Sequence, residues 1–234
     1  DYDRVLKQRG ALLKSAAALR RHGRRDGGDL ATLDVWDGHA ARAGAELVAG
    51  RVELLSALSD RVRASYESLA PQSDSVSVAY APSVISHGVI EQRCLDAGAD
   101  ASAWEELLTE ALHSARASEL ERGQCLVGPH RDDVTVTIGD LPARGYASQG
   151  ESWSLALALR LASYDLLVQE SSTPPVLMLD DVFAELDGRR RSHLAERLHD
   201  ADQVLITAAV PDDVPDELGG SRLRVDEGVV RRDQ

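Results

Sequence analysis

The sequence predicts an α/β protein in which a mainly helical region precedes a parallel sheet flanked by helices. Three observations carry this. Two short apolar runs, "PPVLMLDD" (174–181) and "QVLIT" (203–207), flank the helical stretch "RRRSHLAERLHD" (189–200), which is the strand, helix, strand order of a βαβ unit. Before residue 124, apolar residues recur mostly at helical spacing; after it, "VTVTI" (134–138) alternates with the period of a strand. With 234 residues, 43% of them hydrophobic, the chain can bury a substantial core. The expected organisation is a helical arm over 1–124 (long hairpin, short strand, helix) and a sheet-bearing lobe over 125–234.

The elements follow in order. Tyr2, Val5, Leu6, Leu12, Leu13, Ala16 and Leu19 predict a helix that "RRDGGD" (24–29) interrupts. Trp36, Ala40, Ala43, Leu47, Leu54, Leu55, Leu58, Val62 and Leu69 extend the same period until Pro71 stops it, and the first helix is its expected antiparallel neighbour. Gly38, Gly44 and Gly50 lie inside this long helix at about 1 kcal/mol each relative to alanine, an arrangement expected where another backbone passes close. "SVSVAYAP" (75–82) reads as a strand. "SAWE" (102–105) reads as a capping box opening a helix whose buried stripe is Trp104, Leu107, Leu108, Ala111, Leu112 and Ala115, with Gly123 as its stop. Gly139-Asp140 is a turn signal, and "SLALALRLASYDLLV" (154–168) is a helix apolar enough to be buried nearly all round.

Composition narrows the function classes. No apolar run approaches the roughly 20 residues that span a bilayer, and the first residues lack the order of a secretion signal, so a soluble cytoplasmic protein without membrane contact is expected. Cys94 and Cys125 stand far apart and form no C-x-x-C pair, which fits a reducing compartment and two small buried hydrophobes. A net charge of -13 weighs against a free-standing nucleic-acid binder. Residues 1–25 nevertheless carry eight basic groups against Asp1 and Asp3, as a solvated helix face or a DNA-facing patch.

Two motifs carry chemistry. Asp180 and Asp181 end the run "VLMLDD", where parallel sheets bind ligands, and a charge at the end of a buried strand costs several kcal/mol unless something binds it. Hydrophobic residues followed by acids describe a Walker B element, in which the first acid holds Mg²⁺ and the second orients the attacking water. The same pattern suits a phosphoaspartyl site, a nuclease metal site or an acid capping the next helix. About 30 residues upstream, "ASQGES" (147–152) is a glycine-containing turn feeding a helix N-terminus, where Ser148 supplies a hydroxyl and Gly150 an unshielded amide for a terminal phosphate.

This order resembles the ATP-binding-cassette ATPases, with a signature turn in "SQGE", Walker B in "VLMLDD" and a D-loop in "AELD". Within them it resembles the RecF family, on "VLKQRGALLK" (5–14), "VWDGHAARAG" (35–44), "GPHRDD" (128–133), "ASQGE" (147–151) with "LALALRLA" (155–162), "LDDVFAELDGRRR" (179–191) and "QVLIT" (203–207). The resemblance implies the C-terminal lobe of a cassette-type ATPase with an inserted helical arm. It implies Asp180 as the Mg²⁺ acid and Asp181 as the catalytic acid, an aspartate where glutamate is usual, which points to slow hydrolysis. Ser148, Gln149, Gly150, Glu151 and Asp187 would meet ATP held by a second subunit, so that ATP joins a homodimer. Thr207 stands where many relatives have a switch histidine. Gly10, Ala184, Glu151 and Trp153 depart from the family pattern, and the carboxylate of Glu151 is unfavourable beside a phosphate unless turned away or paired. The implied role is DNA repair, recombination and replication restart, including the SOS response, on double-stranded DNA with single-strand gaps or junctions, with RecO and RecR as partners.

No G-x-x-x-x-G-K-[ST] occurs. In this family the P-loop belongs to an N-terminal lobe, so the chain, which does not begin with methionine, is expected to be a piece lacking that lobe and inactive alone. Two alternatives remain: a non-catalytic scaffold using the ATPase features only for assembly, and a serine hydrolase at "GESWS" (150–154) with Ser152, Asp180 and His193. "HRDD" (130–133) reads as a metal cluster through His130 and Asp132 or as a tie between loop and strand, and His193 and His199 read as surface residues.

Overall fold

The computed structural model describes residues 1–21 and 28–232, and the side chains of 21–30 are not considered; most of the "RRDGGD" break thus falls outside the described residues. The chain forms two compact units, Asp1–Ser59 with Val78–Val136, and Asp60–Ser77 with the chain from Thr137 onward. The architecture is α/β, as the strand and helix patterns predict.

The first unit contains α1 (Tyr2–Arg21), most of α2 (Gly28–Leu69), α3 (Glu91–Ala97) and α4 (Ala101–Arg122). The predicted stripe of α4 from Trp104 to Ala115 is buried and packs on Ala40, Ala41, Ala45, Val48 and Ala49 of α2, whose small side chains let the helices approach. α4 does not begin with a capping box at Ser102. Asp100 is the cap, accepting the Ser102 amide at 2.8 Å, because it is the residue just before the helix, whereas Ser102 already lies inside it. Gly123 ends the helix with φ 69°, and a Cβ there would meet Ala17 Cβ at 3.2 Å and Lys14 Cα at 3.4 Å. α4 thus packs closely on α1, and α1 also runs antiparallel to α2 as expected, with Tyr2 beside Gly44, Arg9 bonded to Asp37 and Leu13 clustered with Leu33. Of the three α2 glycines only Gly44 is crowded, by Leu108, Pro129 and Tyr2 side chains at 3.2–3.3 Å, whereas Gly38 and Gly50 face open space.

Charges are buried in this unit. Arg9 is 1% exposed; its Nε donates to Asp37 at 2.6 Å and its Nη atoms to both oxygens of Glu119, while Arg116 pairs with Asp37 and Asp34. Glu119 also accepts the Leu126 amide at 2.7 Å. Burial works to discharge Arg9, but Glu119 and then Asp37 outweigh it and raise the guanidinium pKa. Arg9 is therefore a core residue, neither part of a solvated helix face nor available to DNA, while Arg4, Lys7, Lys14 and Arg20 are exposed.

A three-stranded sheet follows the order β1 (Val76–Ala81), β2 (Asp133–Ile138), β3 (Leu141–Pro142), with β2 and β3 joined antiparallel through Gly139-Asp140, Gly139 having φ 57°. In the second unit, the short kinked α5 (Ala143–Tyr146) precedes α6 (Gln149–Glu170). α6 buries Ser154, Leu155, Leu157, Ala158, Leu161, Ala162 and Leu166; Leu159, Leu167 and Val168 are exposed, so it is not apolar-covered all round. β4 (Leu177–Asp180), α7 (Gly188–Leu198) and β5 (Val204–Thr207) form the predicted βαβ unit, the strands pairing in parallel with Asp180 opposite Thr207. β6 (Leu223–Asp226) and β7 (Val229–Arg232) form an exposed hairpin that closes through Glu227 and Gly228, both at positive φ.

Candidate nucleotide site

The site residues fall in two groups within the second unit. The first stands at the carboxyl end of the parallel pair. Asp180 is the last residue of β4, and Thr207, the last of β5, donates its hydroxyl to Asp180 Oδ1. Asp181 turns the chain with φ 53° and ψ 24°, a left-handed conformation that aspartate tolerates better than most residues, and its amide donates to the Thr207 carbonyl and hydroxyl at 3.1 Å each. Both acids are exposed, which corrects the expectation of a charge at a buried strand end: the β4–β5 pair also exposes Val176, Met178 and Leu205. The oxygen set of Asp180, Asp181 and Thr207 suits a hard cation such as Mg²⁺.

The second group gathers at the N-terminus of α6. Ser148 is the N-cap and Glu151 its partner in a capping box: Glu151 Oε2 accepts the Ser148 amide at 2.8 Å and hydroxyl at 2.7 Å, and the Glu151 amide donates to Ser148 Oγ at 3.3 Å. The extra carboxylate is thus turned back and paired. Bonding to the Ser148 hydroxyl and then its amide holds the Glu151 carboxyl below its ordinary range, aided by Arg190. The cap occupies the Ser148 hydroxyl, leaving the Gln149 and Gly150 amides as the first-turn donors it does not use. Gln149 is exposed.

Asp187 is the N-cap of α7, accepting the Arg190 amide at 3.0 Å, and Arg190 Nη1 returns to its other oxygen at 2.9 Å. The Arg190 amide, and then the neighbouring guanidiniums, lower the Asp187 pKa. The same Nη1 lies 2.7 Å from where a Cβ on Gly150 would stand. Arg190 therefore stands between the turn 148–151 and Asp187, a placement that sequence reading missed; "GRRR" after the D-loop offered only charge. Thr207 as the partner of Asp180 was missed too, since the bond spans 27 positions.

The cap itself is testable. Ser148→Ala is expected to destabilise the first turn of α6 by about 1 kcal/mol. Because the Glu151 pKa is lowered on folding, its contribution is present above the ordinary glutamate range and lost as pH falls through the lowered value. Amide exchange at residues 151 and 152 across an acid titration should show that loss in the wild type and not in the variant; identical profiles would exclude the cap as its source.

Other candidates resolve as structural. Ser152 lies inside α6 and donates to the Ser148 carbonyl at 2.9 Å, so it is not a nucleophile on a turn after a strand, which removes the hydrolase reading. His130 meets the Tyr2 hydroxyl at 2.8 Å, and Asp132 accepts the Tyr80 hydroxyl at 2.6 Å and the Ser83 amide at 2.8 Å, so "HRDD" ties its loop in place. His193 is half-buried rather than a surface residue, and His199 is exposed. Cys94 and Cys125 are free and buried, their thiol pKa values raised by burial. Asp34, Asp37 and His113 come within 4.8 Å of one another, but Arg116 and Arg9 already neutralise the carboxylates. A shallow concavity on the outer face of α4, lined by Glu105, Glu106, Glu110 and His113, contains none of the predicted site residues.

No protein-family model matches the chain. It is 56% identical over 232 residues to the DNA replication and repair protein RecF of Streptomyces avermitilis, covering 99% of this chain and 59% of that protein. The RecF of Frankia alni is 54% identical with the same coverage, and that of Beutenbergia cavernae is 51% identical over 248 residues, with 61% of it covered. Two solved structures of the recombination mediator protein RecF in the RecFOR pathway superpose on the chain. The RecF-ATPrS structure has a TM-score of 0.75 and 27% identity over 99% of this chain and 56% of that one. The RecF-ATP structure has a TM-score of 0.74 and 26% identity over 100% and 57%. The chain thus spans about three fifths of the length of these relatives.

Proposed function

The chain belongs to the RecF family, and on that premise we propose that it is the arm and C-terminal lobe of a DNA replication and repair ATPase that dimerises on ATP. Residues 1–124 serve as the arm and 125–234 as the lobe. The carrying observation is the acid doublet at the end of β4, set beside Thr207 of a parallel β5, in a unit that also presents a glycine-containing helix N-terminus. Asp180 would hold Mg²⁺ and Asp181 would orient water on one face of a nucleotide; Mg²⁺, when bound, would supply charge neutralisation of the phosphates. The Ser148–Glu151 turn and Asp187 would meet the nucleotide of a second copy, the turn through the Gln149 and Gly150 amides that its cap does not use. The protein acts in the cytoplasm on double-stranded DNA at single-strand gaps or junctions, in recombination, replication restart and the SOS response, with RecO and RecR as partners. Two names support this part: the RecF proteins and the RecFOR pathway of the solved relatives. Among the described residues no helix is long and apolar enough to cross a membrane.

The test is sedimentation of the chain mixed with a RecF-type N-terminal lobe that carries a P-loop, against the chain alone, with and without ATP and Mg²⁺. ATP-dependent dimers are expected only in the mixture. Association that ignores ATP would refute the reading. A second reading, an assembly scaffold without turnover, is favoured by one observation: Asp180 is held by a threonine hydroxyl, which offers no titrating group at the γ-phosphate.

A further inference from the structure

The geometry around Gly150 points to a residue that nothing above assigns to the nucleotide reaction. We propose that Arg190 is a positioning residue that fastens the 148–151 turn to Asp187, so that both present themselves to a nucleotide as one rigid surface, and that position 150 is glycine to admit its guanidinium. This rests on the nucleotide reading of the two segments.

Three observations carry it. Arg190 grips Asp187 twice, by its amide at 3.0 Å and by Nη1 at 2.9 Å, which fixes the start of α7 and the direction of the arginine side chain. The guanidinium is only a quarter exposed, so it is packed rather than waving in solvent. A Cβ on Gly150 would stand 2.7 Å from Nη1, closer than real Cβ atoms come, and a tight 3.2 Å from Nη2. The obstructing atoms are the far end of a flexible side chain, so an alanine at 150 would evict the guanidinium instead of breaking the helix. A helical glycine has no need of φ above zero here: Gly150 is not among the residues with positive φ. The close approach is the physical reason for glycine.

The guanidinium also answers an electrostatic problem. The turn carries Glu151 and the loop carries Asp187, two carboxylates beside any phosphate drawn to the α6 N-terminus. One arginine between them offsets half of that charge and so makes the Gln149 and Gly150 amides more attractive to an anion.

The experiment is a double-mutant cycle of Gly150→Ala and Arg190→Ala with two readouts. The first, without nucleotide, is the NMR titration of the Asp187 carboxyl in this chain, with circular dichroism as the check of folding. Both single variants and the double variant should raise the Asp187 pKa by the same amount, because each removes the same guanidinium. An Asp187 titration in Gly150→Ala that matches the wild type would overturn the proposal. The second readout is ATP-driven dimerisation with the P-loop lobe added. Each single variant should weaken it about tenfold, and the double variant no further. Losses that multiply in the double variant would mean that Gly150 and Arg190 act separately, and the positioning role fails. If the wild type shows no ATP response, the nucleotide reading fails, while the nucleotide-free titration still decides the link between Gly150 and Arg190.

Discussion

Arg9→Met is expected to lower the stability of the first unit by about 3–5 kcal/mol, as breaking a buried ion pair from one side does. The reason is what it leaves behind. Glu119 is fully buried and both its oxygens face the Arg9 guanidinium; without it, the remaining bond is the Leu126 amide at 2.7 Å. Asp37 keeps Arg116 and suffers less. Chemical denaturation followed by the fluorescence of Trp36 and Trp104, both in this unit, measures the loss. The paired replacement Arg9→Met with Glu119→Leu should recover most of it, because a matched apolar pair avoids the desolvation of both charges. A loss below about 1 kcal/mol for the single variant is the size of an exposed pair and would mean that water reaches the network.

Asp181→Asn should reduce ATP turnover by at least about a hundredfold in a protein of the relatives' full length, the range expected when a residue that positions or deprotonates the nucleophile is neutralised. Asparagine also tolerates the left-handed conformation at φ 53°, and the Asp181 amide keeps its bonds to Thr207, so the strand ends should stay intact. ATP binding and dimerisation should therefore survive, with the dimer living longer. Steady-state phosphate release beside sedimentation separates the two effects. Unchanged turnover would return the function to assembly alone and leave Asp181 as a turn residue.

The legible part of this molecule is local. The α4 stripe from Trp104 to Ala115 repeats every three to four residues, and burial follows that period because one face of a helix is all it can hide. The βαβ order of 174–207 and the hairpin at Gly139-Asp140 likewise depend on neighbouring residues, and the structure has both. The hairpin from Leu223 to Arg232 had a readable signal, alternating Leu223 and Val225 before a Glu-Gly turn, but charged residues fill the intervening positions and no face of it is buried.

The capping box shows where locality stops. Ser102 and Glu105 have the right spacing and Ser148 and Glu151 have it too, yet only the second pair starts a helix, because at the first Asp100 intercepts the amide.

By itself, then, the order of residues indicated the main helices, the βαβ unit and the buried stripe of α4, but not α3, the β6–β7 hairpin or the buried face of α2, where the expected Leu47 and Leu54 are exposed; segments 147–151 and 179–187 it marked only by resemblance. Only the tertiary structure decided which charges are core and which are solvent-facing, that Thr207 holds Asp180, and that Arg190 fills the space left by Gly150. Periodicity reports a residue's side of its own helix or strand, whereas a salt bridge such as Arg9 to Glu119, 110 positions apart, exists only once separate helices have packed and removed the water between them.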